Sequence, residues 1–97
     1  MNLTTTQISL LREAATHYLG CVFVERSVGR GPMGGAVNTG KRLADAAQAL
    51  RAAGLFRLDN TSTSALPRNG FTVDTTCACF EITDTGRAAL AMLTQAA

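Results

Sequence analysis

One α+β domain, three main helices with a small antiparallel β-hairpin, is the fold class this 97-residue sequence predicts. Three observations carry the prediction. Apolar residues recur at helical spacing in three separate stretches, each with its own start or stop residue. β-Branched runs, CVFVER and FTVDTTCACFEIT, lie between those stretches. The length is that of one domain, and neither an internal repeat nor a linker composition divides it.

The first helix is expected over residues 5–19. Thr4 and Gln7 have capping-box spacing. Behind them Ile8, Leu11, Ala15 and Tyr18 form the apolar stripe, Leu19 widens it, and Gly20 stops it. CVFVER then reads as a strand at 21–26. SVGRGPMGG, with five glycines or prolines in nine residues, reads as a loop. Asn38 or Thr39 is placed to cap the second helix, whose apolar set is Leu43, Ala46, Ala47 and Leu50. Gly54 falls at its C′ position, and Leu55 is placed to fold back onto Leu50 in a Schellman ending.

Phe56 and Leu58 flank Arg57 in a short strand, and NTSTSALPRNG at 60–70 has the composition of a turn. In FTVDTTCACFEIT the phase slips: Phe71 and Val73 share one parity, whereas Ala78, Phe80 and Ile82 share the other. A β-bulge or a break near Thr75–Thr76 reconciles them. Thr83 or Asp84 caps a last helix with Ala89, Leu90 and Leu93 on its apolar side.

Composition narrows the class further. Hydrophobic residues reach 46%, but much of that is Ala and Trp is absent, so the expected core is built from small side chains. Only 16% of residues are charged, which suits a surface that associates. The longest apolar run, Tyr18 to Val24, is too short to span a bilayer, and MNLTTTQ has no charged leader, so no membrane role is expected. Three cysteines argue against a disulfide framework and for a reducing cytoplasm.

GAVNTGK at 35–41 matches the first seven positions of a phosphate-binding loop. Arg42 stands where that motif needs a metal-holding Ser or Thr, and GRGPMG is not the buried strand that should precede it. A nucleotide site is therefore not expected. A basic helix N-terminus suited to an anion remains.

KRLADAAQALRAAGLFRL and FEITDTGRAAL together resemble the second half of a winged-helix domain of bacterial and phage regulators. Leu43, Leu50, Gly54 and Leu55 match the end of its recognition helix. Phe80, Ile82, Thr83, Gly86, Arg87 and Leu90 match its return into the closing helix. The resemblance implies a winged-helix-like fold and binding to double-stranded DNA as a small transcription regulator or accessory factor. It places Asn38, Thr39, Lys41, Arg42, Asp45 and Gln48 at the duplex, with Arg30 and Arg68 on flanking phosphates. Residues 25–42 carry a local excess of three positive charges. A homodimer is also expected, with the first and last helices as its surface, because so small a chain has apolar area to spare there. The missing helix before residue 39, where VERSVGRGPMGGAVN is too glycine-rich, and the low net charge of +2 favour a second reading, a winged-helix-like protein-interaction module that binds no DNA.

His17, Cys21, Cys77 and Cys79 are four soft groups, the right number and type for tetrahedral zinc. CxC chelates less well than CxxC, so ordinary buried thiols, and no cofactor, are expected. Scattered acids and a single His leave no catalytic constellation, and no enzyme is expected.

Overall fold

The computed structural model describes residues 2–30, 36–68 and 71–95. In chain order the elements are α1 (Thr5–Thr16), β1 (Cys21–Arg30), β2 (Ala36–Thr39), α2 (Lys41–Ala52), β3 (Phe56–Arg68), β4 (Phe71–Ile82) and α3 (Asp84–Gln95). The strands form one antiparallel sheet in the order β2-β1-β4-β3. Two hairpins are thus joined through a central β1–β4 pair. This overturns the winged-helix architecture: the sheet has four strands, and a β-hairpin stands where the first helix of a helix-turn-helix would be. The glycine and β-branched content of 21–39 disfavours helix there. Across the sheet, β4 offers β1 a partner over its whole ten-residue length.

The helix boundaries follow local chemistry. Thr4 accepts from the Gln7 N–H at 3.1 Å, and the Thr4 N–H donates to Gln7 Oε1 at 2.8 Å. α1 ends at Thr16, so Tyr18 and Leu19 lie beyond the helix and are exposed. α2 closes as expected, with the Leu55 N–H donating to the Leu50 carbonyl at 2.9 Å and both leucines fully buried. Its start differs from expectation. Asn38 and Thr39 lie in β2, and Gly40, at φ +79°, is the N-cap without a side-chain hydrogen bond. Thr83 caps α3: its Oγ1 accepts from the Gly86 N–H at 3.0 Å and donates to the Gly54 carbonyl at 2.6 Å.

The strands depart from the expected lengths. β3 runs through residues whose composition suggested a turn, reaching Arg68. β4 is continuous against β1, and the register shift falls instead in β3, between Leu58 and Asn60. The phase slip in β4 therefore needs no bulge there. Alternation puts Ala78, Phe80 and Ile82 on the helix-covered face and Val73 on the opposite one.

The main core joins Leu10, Leu11 and Ala14 of α1 to Ala47 and Leu50 of α2. From the sheet it takes Val22, Val24, Phe56, Ala78, Phe80 and Ile82, all on one face. Phe80 stacks on Phe56, with centroids 5.8 Å apart. Beyond Val24 that face runs on through Arg26, Val28 and Arg30, and Val28 is already 48% exposed. The strands thus outrun the helices, and the molecule is elongated, at 52 × 23 × 20 Å.

Candidate functional site

Of the expected DNA contacts, Asn38 and Thr39 meet Arg26, which lines one cleft with Asp45 and Gln48, whereas Arg42 lines another. Lys41 forms an exposed ion pair with Asp45, one turn on, at 2.5 Å, while Arg42 beside it has no ion-pair partner among the described residues. Arg42 lines a cleft toward α1 with Thr5, Thr6, Ser9 and Glu13. Asp45 and Gln48 line a different cleft, toward the sheet, with Arg26 and Thr76. Asn38 and Thr39 are exposed on β2, and Arg30 closes β1. Arg68 is the last residue of β3, and its side chain lies outside the described residues, as do residues 31–35 of the glycine-rich segment.

Arg26, which sequence reasoning did not single out, has a structural role here. Its Nη1 donates to Asn38 Oδ1 and, at 3.3 Å, to the Thr39 carbonyl. It thereby fixes β2 to β1 and steers the chain into α2. The cross-strand spacing of residues 26 and 38 was not readable without the hairpin register.

The soft groups come part of the way together. Cys21 Sγ lies 3.8 Å from His17 Nδ1. Cys21 and Cys79 sit diagonally on the face of the sheet away from the main core, with Cys77 farther along it. Burial, a hydrogen bond with the Cys21 thiol and that thiol's charge push Cys79 up to about 11. Cys79 therefore stays a neutral thiol near pH 7 and is a poor nucleophile and metal ligand. Among the described residues no group of three or more His, Cys, Asp or Glu could hold a metal ion. Nor is any helix there long and apolar enough to cross a membrane.

What stands out instead is the outer edge of the sheet. β3 is thirteen residues long and pairs with β4 on one side only. Residues 59–65 are all exposed, and 60–66, NTSTSAL, contain neither charge nor proline. Natural edge strands are usually short or guarded by Lys, Pro or a bulge, because unpaired backbone groups invite another strand. Here the bulge at Leu58/Asn60 with Arg57 and Asp59 guards one end, and Pro67 and Arg68 stand at the other, which leaves 60–66 between them without a guard residue. Arg57 is tied down by Glu81 on β4 at 2.6 Å. The opposite edge, β2, has just four residues. Sequence reasoning missed the β3 edge because Ser, Thr and Asn are shared by turns and by hydroxyl-rich strands.

Apolar side chains add to the exposed surface: Tyr18, Leu19 and Phe23 near the start of β1, Leu43 on α2 and Met92 on α3. A shallow apolar groove lies between Leu3, Leu55 and the Ala88, Ala89, Met92 face of α3. Comparisons of the chain with protein-family models, with curated proteins and with solved structures find no match. The fold and its edge define an α+β domain with a half-covered antiparallel sheet, and its function is read from these residues alone.

Proposed function

We propose that this protein is a small protein-interaction module that works by adding a partner strand to the outer edge of β3. The single observation that carries the reading is that long, exposed, uncharged edge. Strand addition satisfies a row of backbone donors and acceptors at once, and alternate side chains supply selectivity. Exposed Tyr18, Leu19 and Phe23 fit an associating surface, since aromatic residues are enriched at interfaces. On α2, Lys41 is paired with Asp45, and Arg42 and Arg51 lie at opposite ends of the helix, so its basic groups do not cluster for a duplex.

DNA binding is a second reading, favoured by Arg26 and Arg30 on one strand face and by Arg26 lining one cleft with Gln48 of α2. Titration of random duplex DNA across a salt series separates the two. The interaction reading expects no appreciable duplex binding at low salt, and Lys41→Ala/Arg42→Ala changes nothing. Affinity that falls steeply with salt, with a shallower slope in that double variant, would overturn it in favour of DNA.

A further inference from the structure

We infer that the partner strand is β3 of a second copy of this chain, the two outer edges pairing antiparallel about a two-fold axis near residues 62–64. This rests on the interaction-module reading and names its partner. Three features select a second copy.

The first is charge. In an antiparallel pair centred on Ser62, Thr63 or Ser64, the residues facing one another across the middle are Ser, Thr, Asn and Ala. No two like charges within β3 come opposite each other in any of these registers. Arg57 and Asp59 fall toward the outer ends.

The second is the chemistry of the rungs. The chain already pairs this composition across strands. Thr63 Oγ1 meets Thr76 Oγ1 at 3.2 Å, and Ser27 Oγ meets Thr75 Oγ1 at 2.9 Å. Cross-strand hydroxyl pairs of this kind are favourable, and a second β3 offers the same groups at the same spacing.

The third is closure. A two-fold pairing uses the same edge on both copies and then stops. It covers the long edge of each sheet and leaves outside the four-residue β2 edges and residues 21–26 of β1, which pair with no strand on that side among the described residues. Two copies therefore remove the hazard that an exposed edge of this length poses, without opening a route to fibres.

The test is mass in solution, by analytical ultracentrifugation or light scattering. The natural chain is expected to have the mass of two copies. Ser62 and Ser64 are exposed, and Lys at both sets Lys against Lys in the register centred on 63. In the other two registers one of them faces its own copy. Ser62→Lys/Ser64→Lys and Ser62→Glu/Ser64→Glu should each run as a single folded chain by circular dichroism. Mixed together, they should recover the two-copy mass, because Lys then faces Glu. A natural chain with the mass of one copy at its highest soluble concentration would overturn the inference. So would two-copy mass unaltered in the Lys variant, which would place the dimer on another surface. Either failure leaves the interaction reading standing on its separate DNA titration.

Discussion

Phe80→Ala is expected to destabilise the fold by about 3–5 kcal/mol, the range for truncating a fully buried aromatic side chain. Phe80 is 1% exposed, lies on a central strand and stacks on Phe56. It faces Val22 on β1 and Leu58 on β3, so one side chain braces both hairpins against the helices. The main core is otherwise built largely from Ala, Val and Leu. Its neighbours are too small and too constrained by the sheet to collapse into the cavity. A domain of this size has only about 5–15 kcal/mol in total, so the variant should be partly unfolded at physiological temperature. Urea unfolding followed by circular dichroism reads the loss. Phe23→Ala supplies the contrast: Phe23 lies on the other face of the sheet and is 61% exposed, so its truncation should shift the midpoint little.

Gly40→Ala and Gly54→Ala form the second pair, matched in backbone and unmatched in surroundings. Both glycines are left-handed, at φ +79° and +78°. A Cβ at Gly54 meets no atom within 4 Å, so Gly54→Ala should cost only the left-handed penalty, about 1–2 kcal/mol. A Cβ at Gly40 would collide with the Glu25 carbonyl oxygen on β1. That oxygen is backbone in a paired strand and cannot swing aside. Gly40→Ala should therefore cost about 2–5 kcal/mol, the left-handed penalty plus an overpacking cost. Equal losses at the two positions would mean that the Gly40 turn does not pack against β1, and hence that the β1–β2 hairpin is wrongly placed. This is the position that the phosphate-loop pattern GAVNTGK had drawn attention to. Its glycine serves a close backbone approach between two strands and a helix start.

These two positions also show what was legible in the sequence. The Thr4–Gln7 box and the Gly54–Leu55 ending depend on residues a few positions apart, so spacing revealed them, and it narrowed the last cap to Thr83 or Asp84. The likeness to a winged helix rests on the same local signatures, and α2, its Schellman turn and the return into α3 form as those signatures require. The pairing of β1 with β4 joins residues some fifty positions apart, such as Val22 and Phe80, and no local pattern encodes it. β2 is too short for a period to emerge from four residues beside a glycine-rich segment. The candidate site suffered from the same limit. A helix surface read in isolation placed Lys41, Arg42, Asp45 and Gln48 together, whereas the fold puts Arg42 in one cleft and Asp45 and Gln48 in another. The β3 edge could have been found only by asking whether NTSTSAL would pair rather than turn.

Amide hydrogen exchange along β3 tests the central claim most directly. Amides that point toward β4 are protected by the chain's own ladder and serve as internal references. Paired edges predict that the outward amides between Asn60 and Leu66 exchange slowly in the natural chain and rapidly in Ser62→Lys/Ser64→Lys, with the inward amides slow in both. Rapid exchange of the outward amides in the natural chain, or equal protection in the variant, would contradict pairing at this edge.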